Sequence, residues 1–303
     1  MSLVTTFTAI GGTTSITTQT EGQGKVMTNR IDTTMASLRA EGKAALVPWV
    51  TVGYPDIATS EEMAVAIMES GADMLEMGVP FSDPLADGPT IQMASFRALE
   101  NGTTLRDALG SLRRLRERGV DSPLIFMGYL NPFISYGMEE FAKEASDAGM
   151  DGIIIPDLPP EEAPPYQAVL ASHNIHLIPL LAPTSTEARI EQACKQASGF
   201  IYCVSVAGVT GARSELSGGV EGLVRRIREH SDLPILVGFG VSRQEHVDNI
   251  ARFADGAVVA SAMLDSVSRV PTEEAAETAA RFVRGLRRKS GVTSNDSYIR
   301  TMN

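Results

Sequence analysis

Eight short apolar runs alternate with amphipathic segments along this chain, and the alternation predicts an α/β fold built as a single (β/α)8 TIM barrel. Each run is largely apolar, as expected for a parallel strand that is buried on both faces. The length of 303 residues suits one barrel of ~250 residues with tails. A doubly wound open sheet would alternate too, but eight repeats without an extra segment favour the closed barrel.

The predicted strands follow the apolar runs. They are Ala45–Gly53, Asp73–Val79, Pro123–Tyr129, Gly152–Asp157, His176–Pro183, Phe200–Val206, Pro234–Gly240 and Gly256–Ala262. Amphipathic patterns predict helices between most of them, for example over Glu61–Ser70, Leu105–Arg118, Met138–Ala148 and Val220–His230. A short extra N-terminal helix, Arg30–Glu41, precedes the first strand. The basic segments Arg113–Arg118 and Arg284–Lys289 are predicted to be solvated helix faces.

The two ends of the chain differ in composition from its middle. Residues 1–26 are rich in Thr, Gly and Ser without apolar periodicity, which predicts a disordered N-terminal tail. Residues 290–303 predict a polar C-terminal tail. Because no Ser/Gly/Pro-rich linker divides residues 27–289, we expect this stretch to form one catalytic barrel domain.

Composition excludes several classes of function. A net charge of -11 argues against nucleic-acid binding, although backbone N–H groups can still bind one small phosphate. Two cysteines, Cys194 and Cys203, predict ordinary buried residues in a reducing, cytoplasmic setting. No Cys or His cluster predicts a metal site. No apolar run approaches the ~20 residues of a membrane span, and no secretory signal is evident.

A carboxylate lies within the second predicted strand. Glu76 is flanked by Leu75 and Met77, so we expect a desolvated side chain whose raised pKa suits proton transfer near neutral pH. The alternative is a buried glutamate that pairs with a cation elsewhere in the barrel.

The loop after this strand holds a second carboxylate, Asp87, among prolines. Pro80, Pro84 and Pro89 restrict the backbone and can hold Asp87 in a fixed place. The alternative is that Asp87 is a turn or helix-capping residue before Thr90.

Glycine-rich junctions follow the last three predicted strands. The sixth strand is followed by a loop ending at Gly211, the seventh ends at Gly240, and the eighth ends at Ala260 and Ser261. Phosphate sites in such barrels commonly use the loops after strands seven and eight, because glycine allows close approach and helix N-termini offer free N–H groups. The alternative is that these glycines only make tight turns.

Tyrosine and histidine give weaker signals. Tyr202, on the sixth strand, faces either the barrel interior or the helices, and alternation does not decide which. The four histidines, His173, His176, His230 and His246, lie in or beside helical segments or at the start of a strand. We therefore expect them at the amino-terminal end or on the exterior of the barrel, away from the strand ends that carry active sites. This placement favours carboxylate chemistry over histidine chemistry.

The segment LEMGVPFSDPLADGPTIQ, Leu75 to Gln92, resembles the signature of the tryptophan synthase α-subunit family almost residue for residue. The resemblance extends over about Met27 to Lys289. Further similar segments are PWVTVGYPD (Pro48–Asp56), Gly128-Tyr129 with Asn131-Pro132, PDLPPEE (Pro156–Glu162), AGVTGAR (Ala207–Arg213) and VGFGVS (Val237–Ser242). Departures include Trp49, at a position that varies, Val206, where some members have Arg, and Ala260, where many have Gly.

The resemblance implies roles for individual residues. Glu76 takes the general acid–base role, and Asp87 is the second catalytic carboxylate. Thr210 matches the threonine of a mobile loop that closes over the substrate. Because Ala260 keeps its N–H, its departure from glycine leaves phosphate binding intact. The residues matched to substrate binding are Tyr202, Thr210, Gly211, Gly240, Ala260 and Ser261.

The resemblance also implies a reaction and a partner. The reaction is retro-aldol cleavage of indole-3-glycerol phosphate to indole and glyceraldehyde 3-phosphate, with no cofactor in this chain. The partner is a β-subunit that carries pyridoxal phosphate, in an α2β2 assembly. We expect it to contact the rim segments Pro80–Pro89, Asn131–Tyr136 and Asp157–Glu161.

Three alternative functions remain open at this point. A stand-alone indole-3-glycerol-phosphate lyase would use the same site without a partner. A phosphosugar isomerase could use a similar phosphate-binding barrel, but it would not release indole. A binding protein without catalysis is the third, and the presence of both Glu76 and Asp87 argues against it.

Overall fold

The computed structural model describes residues 28–204, 213–238 and 240–287, with the side chains of 213–218 outside that description. The predicted N-terminal tail (1–26) and C-terminal tail (290–303) lie outside the described residues, as do Thr210 and Gly211.

Nine parallel strands form one sheet within the described residues, in the order β5-β4-β3-β2-β1-β9-β8-β7-β6. Each lies within one of the eight apolar runs, which confirms the predicted barrel. The strands are β1 (Ala45–Thr51), β2 (Leu75–Gly78), β3 (Leu124–Met127), β4 (Gly152–Ile154), β5 (His176–Ile178), β6 (Leu180–Leu181), β7 (Ile201–Val204), β8 (Ile235–Gly238) and β9 (Gly256–Val259).

The fifth predicted strand, His176–Pro183, is divided into β5 and β6 by Pro179. Proline lacks the N–H that a strand ladder needs, whereas the Pro179 carbonyl still accepts a hydrogen bond from Tyr202 N over 3.0 Å. The two short strands at the ends of the sheet order are therefore one continuous run of chain, and this shared run closes the ring.

Helices surround the strands, and every helix named from the sequence is found. The α9 helix begins seven residues earlier than predicted. The helices are α1 (Arg30–Ala40), α2 (Ile57–Glu69), α3 (Pro89–Glu100), α4 (Leu105–Glu117), α5 (Leu130–Tyr136), α6 (Met138–Asp147), α7 (Ala163–Ser172), α8 (Glu187–Gln196), α9 (Arg213–Arg228), α10 (Gln244–Ile250), α11 (Ser261–Val267) and α12 (Ala275–Leu286), with a 3-10 turn at Thr272–Glu274. Among the described residues, no helix is both long and apolar enough to cross a membrane.

Local signals explain where the helices begin. Thr104 and Asp107 form a reciprocal capping box at the start of α4, which satisfies N–H groups that a helix leaves free. The Asp56 side chain caps α2 by accepting from Thr59 N over 2.8 Å. These caps fix the helix starts beside the carboxyl ends of the strands.

The extra helix α1 closes the amino-terminal end of the barrel. Its Ile31, Met35 and Leu38 pack on the inward-facing strand residues, such as Val47 and Met74. Asn29, which caps α1, donates from Nδ2 to the carbonyl groups of Asp151 and Asn174, each over 2.8 Å. Because this end is filled, the opposite, carboxyl-terminal end is the place for a site.

A buried ionic network stabilises the same end. Asp151 is 2% exposed and accepts from Leu124 N over 2.9 Å, Arg116 over 2.6 Å and Arg30 over 3.0 Å. Arg116 also donates to the carbonyl groups of Gly149, Val120 and Ser122. The prediction that Arg113–Arg118 is a wholly solvated face is therefore wrong for Arg116, because distant acceptors satisfy its guanidinium.

We expect Asp151→Ala to lower the free energy of unfolding by about 3–5 kcal/mol, because it leaves the buried Arg116 charge without its partner. Urea denaturation measures the change. Glu277→Ala is the control, because it breaks an exposed pair with Arg284, which is worth about 0–1 kcal/mol. Equal effects of the two substitutions would contradict the assignment of a structural role to Asp151.

Candidate active site

Glu76 lies on the inner face of the barrel. It follows the inward-facing Met74 by two residues, and successive strand residues alternate between faces. In the sheet it lies opposite Trp49 of β1 and Ile125 of β3. This places the carboxyl group above the apolar layer of the barrel interior, toward the carboxyl ends of the strands.

The Glu76 carboxyl is buried and has no polar partner within the part of the chain that the structure describes. The residue is 1% exposed, and neither oxygen has a hydrogen-bond partner among the described residues. None of the ion pairs among these residues involves it, so the alternative of a glutamate paired with a cation finds no support there. Burial, and secondarily the negative charge of Asp87, raises the pKa of Glu76 to about 8, in agreement with the expected direction.

Asp87 lies on the loop between β2 and α3. Burial raises its pKa to about 6, while a hydrogen bond with Tyr129 opposes the increase. Its backbone N–H donates to the Pro84 carbonyl over 3.0 Å, so the backbone does form a turn. The residue at the helix cap is Gly88, however, and no side chain caps α3. The capping interpretation of Asp87 is therefore wrong.

Tyr129, which follows the neighbouring strand β3 and precedes α5, holds this loop, and no sequence motif considered above assigns it a role. Its hydroxyl accepts from Ala86 N over 2.9 Å and bonds the Asp87 side chain. Its ring stacks on Phe81 with a centroid separation of 5.1 Å. An aromatic hydroxyl directly after the third strand was the available signal, because strand ends meet at the same rim.

Tyr202 faces the barrel interior, which answers the question that alternation left open. It belongs to the inner cluster and lies so close to Gly238 that an added Cβ there would clash with its hydroxyl. Burial first, then the charges of Glu76 and Asp87, raises the pKa of Tyr202. The phenol therefore stays neutral and shares one region with both carboxylates.

A small cavity of about 10 Å³ marks this region. Asp87, Tyr129, Trp49 and Met127 are among its lining residues. A larger cleft of about 710 Å³ lies beside α3 and the end of α11, but neither Glu76 nor Asp87 lines it. Among the cavities lined by described residues, the smaller one combines an apolar lining with a carboxylate of raised pKa, so we take it as the candidate active site.

Candidate phosphate-binding groups lie at the ends of β8 and β9. Gly240 has a φ of +48°, which favours glycine. Ala260 precedes α11, and Ser261 begins it with an exposed side chain. The first N–H groups of a helix lack intrahelical acceptors, so this end can donate to an anion. Thr210 and Gly211 lie outside the described residues.

His246 is an exception to the expectation that the histidines lie at the other end or on the exterior. Its Nδ1 lies 3.1 Å from the Gly240 carbonyl oxygen and 3.2 Å from Ser242 N. The imidazole therefore lies beside the loop that follows β8, a contact that sequence spacing does not reveal.

Groups that could hold a metal ion lie elsewhere. Among the described residues, Glu187, Glu229 and His230 form such a group. All three are exposed, and neither active-site carboxylate belongs to the group. Exposed acidic residues often cluster without binding an ion, so this group gives no reason to add a metal to the chemistry.

The burial of Glu76 has a measurable effect on stability. Its folded-state pKa of about 8 exceeds the ordinary 4.5, so between these pH values the folded state retains a proton that the unfolded state releases. Raising the pH through this range therefore destabilises the fold.

We expect Glu76→Gln to remove this effect. Its advantage over wild type in unfolding free energy should grow between pH 5 and pH 8, to the order of a few kcal/mol. Urea denaturation at both pH values measures it, with Glu139→Gln, an exposed glutamate on α6, as the control. The same pH dependence in wild type and Glu76→Gln would contradict the shifted pKa.

Comparisons with known proteins agree with this architecture. The family model described as "Tryptophan synthase alpha chain" matches residues 35–290. The tryptophan synthase alpha chain of Roseiflexus sp. (strain RS-1) is 49% identical over 259 residues, covering 86% of this chain and 99% of that protein. The one from Geobacter sulfurreducens is 47% identical over 263 residues, covering 87% and 99%.

Solved structures give the same result. Tryptophan synthase subunit alpha from Legionella pneumophila str. Paris has a TM-score of 0.79 at 35% identity, covering 86% of this chain and 97% of that chain. A tryptophan synthase chain from M. tuberculosis, in an aminoacrylate-bound form, has a TM-score of 0.76 at 34% identity, covering 86% and 100%. This chain, with its buried acid on β2 and the second carboxylate on the loop that follows, belongs to the tryptophan synthase alpha chain family.

Proposed function

We propose that this chain cleaves indole-3-glycerol phosphate into indole and glyceraldehyde 3-phosphate. The observation that carries the proposal is the difference between the pKa values of two nearby carboxyl groups. The pKa of Glu76 is raised to about 8 and that of Asp87 to about 6. Near neutral pH, Glu76 therefore holds a proton to donate while Asp87 is mainly ionised, which assigns the acid and the anion.

Glu76 acts on the carbon–carbon bond. Its carboxylic acid donates a proton to C3 of the indole ring, and the ring becomes a cationic electron sink. The bond between C3 and the glycerol chain then breaks, and its electron pair restores the aromatic ring. The adjacent hydroxyl loses its proton to the Glu76 carboxylate and becomes the aldehyde. The proton donated in the first step is thereby recovered, so Glu76 ends the cycle protonated.

Asp87 and the remaining groups hold the reactant. The Asp87 carboxylate accepts the indole N–H and stabilises the positive charge that develops on the ring. The neutral Tyr202 phenol lines the barrel interior on the side opposite Glu76. The phosphate is bound by N–H groups of Gly211, Gly240 and the Ala260–Ser261 turn, with the Ser261 hydroxyl, while the Thr210 loop covers the substrate. The steps require neither a metal ion nor an organic cofactor in this chain.

The alternative functions are less well supported. The relatives compared above are tryptophan synthase chains, which favours neither a stand-alone lyase nor a phosphosugar isomerase. The substrate of a phosphosugar isomerase also has no aromatic ring that the buried acid Glu76 could protonate.

We propose that the partner is a β-subunit carrying pyridoxal phosphate, in an α2β2 assembly. Three observations support the rim segments as its contact. Leu85, within Pro80–Pro89, is 92% exposed, and Ile134, within Asn131–Tyr136, is 49% exposed. Leu130 N donates to Asp157 Oδ1 over 2.9 Å, which joins the second segment to Asp157–Glu161. Exposed apolar side chains on one rim are typical of an interaction surface.

We expect Glu76→Gln to abolish indole release and Asp87→Asn to lower kcat by about 10³-fold, since it removes charge stabilisation in the transition state.

For wild type, kcat/KM should rise as Asp87 ionises near pH 6 and fall as Glu76 loses its proton near pH 8. Asp121→Asn, at an exposed position remote from the site, is the control. Near-normal turnover of Glu76→Gln would refute the mechanism.

We expect indole release to increase on mixing with a cognate β-subunit, because partner binding favours the closed loop state. Sedimentation should detect an α2β2 complex at micromolar concentrations. Leu85→Asp should weaken the complex, and Leu85→Met should preserve it. Absence of both complex and activation would favour the stand-alone lyase.

A further inference from the structure

A side-chain hydrogen bond links two segments that the proposed function keeps separate. Thr90 Oγ1, on α3, donates to Asp265 Oδ1, on α11, over 2.9 Å, and both side chains are half-buried. Thr90 lies three residues after Asp87, and Asp265 lies about one helical turn after Ser261. The bond therefore joins the helix that follows the Asp87 loop to the helix that begins at the proposed phosphate site.

The Asp87 loop is tied to α3 at two points. Gln92 Nε2 donates to the Asp87 carbonyl over 2.9 Å. Ser95 Oγ accepts from Phe81 N over 2.9 Å and returns a bond to the Phe81 carbonyl over 3.3 Å. Since both the beginning and the end of the loop are bonded to this helix, a displacement of α3 also displaces the backbone that carries Asp87.

The α11 helix is short, and its buried apolar residues hold it against the barrel. Met263, Leu264 and Val267 are buried, and α11 packs against α3. Apolar contact of this kind is non-directional, so it permits the helices to slide. The Thr90–Asp265 bond is directional and fixes their relative position.

We propose that Thr90 and Asp265 are positioning residues that couple phosphate binding at the Ala260–Ser261 end of α11 to the placement of Asp87. This inference rests on the proposed function, which supplies the phosphate and the role of Asp87. Neither residue is among the groups assigned above to hold the substrate. A phosphate that orders α11 orders α3 through the bond, and α3 orders the loop. Because such coupling is reciprocal, placement of Asp87 also favours phosphate binding.

The test measures the loop and the reaction separately. Glycerol phosphate, with glycerol as the control ligand, is added to wild type and to Thr90→Val, which keeps the shape of the side chain and removes its donor. Hydrogen exchange is followed in peptides covering residues 85–92. We expect glycerol phosphate to protect this segment in wild type and the protection to be lost in Thr90→Val.

Kinetics should give a matching split. For Thr90→Val we expect kcat to fall about tenfold, within the usual range of coupling between sites, and glycerol phosphate affinity to fall in the same direction by a smaller factor, because the coupling is reciprocal. Thr90→Ser retains the hydroxyl donor and Asp265→Asn retains a side-chain acceptor. Both variants should therefore keep the wild-type protection of residues 85–92 and the wild-type kcat. Asp265→Leu should reproduce Thr90→Val, and the double variant Thr90→Val/Asp265→Leu should lose no more than either single variant. Thr272→Val, on the exposed turn before α12, is the matched control.

The outcomes distinguish this inference from the proposed function. Wild type that neither binds glycerol phosphate nor releases indole would overturn the proposed function, and the coupling with it. Wild type that behaves as expected, beside a Thr90→Val variant with unchanged protection and kcat, would overturn the coupling alone. Additive losses in the double variant would also overturn it, because they would show that the two side chains act independently.

Discussion

The burial of one carboxyl group, with no polar partner in the described part of the chain, determines the properties of the candidate active site. A buried, ionised carboxylate is strongly unfavourable in an apolar interior, so Glu76 keeps its proton until its pKa of about 8. The strand register holds it there, because β2 is paired on both sides and cannot slip by one residue without turning every side chain to the other face. Glu76 is thus a fixed acid whose protonation is set by its surroundings rather than by an adjacent cation.

The fold places this unfavourable buried carboxyl group toward the carboxyl-terminal end of the barrel. At the amino-terminal end, buried polar groups have hydrogen-bond partners. At the amino-terminal end, Asp151 has three charged or N–H donors, and Asn29 closes α1 against two carbonyl groups. At the carboxyl-terminal end, the Glu76 oxygens have no partner among the described residues. A site prepared for a reactant is less stable than a satisfied one, and the distribution of hydrogen bonds along the barrel axis follows this division.

The sequence predicts what depends on local pattern and fails where distant residues meet. Apolar runs locate the strands, and the apolar neighbours of Glu76 predict its raised pKa. A residue before Gly-Pro-Thr resembles a helix cap, and the sequence does not show that the Asp87 side chain instead bonds Tyr129, 42 positions away. Thr90 and Asp265 are 175 residues apart, and Arg116 appeared solvated because its acceptors lie in other loops. Pro179 divides a strand that composition alone predicts to be continuous.

The two carboxylates differ in how they are held, and this difference connects catalysis to the surface. Glu76 is fixed by a paired strand, whereas Asp87 is held by side chains of Tyr129 and Gln92 that grip its loop. The same loop exposes Leu85 on its outer side, two residues before Asp87. Covering Leu85 removes apolar surface from water and restricts the backbone that positions Asp87. One loop thus presents an apolar side chain outward and a carboxylate inward, so the partner contact proposed at Leu85 would act on the same few backbone angles that place the charge of Asp87.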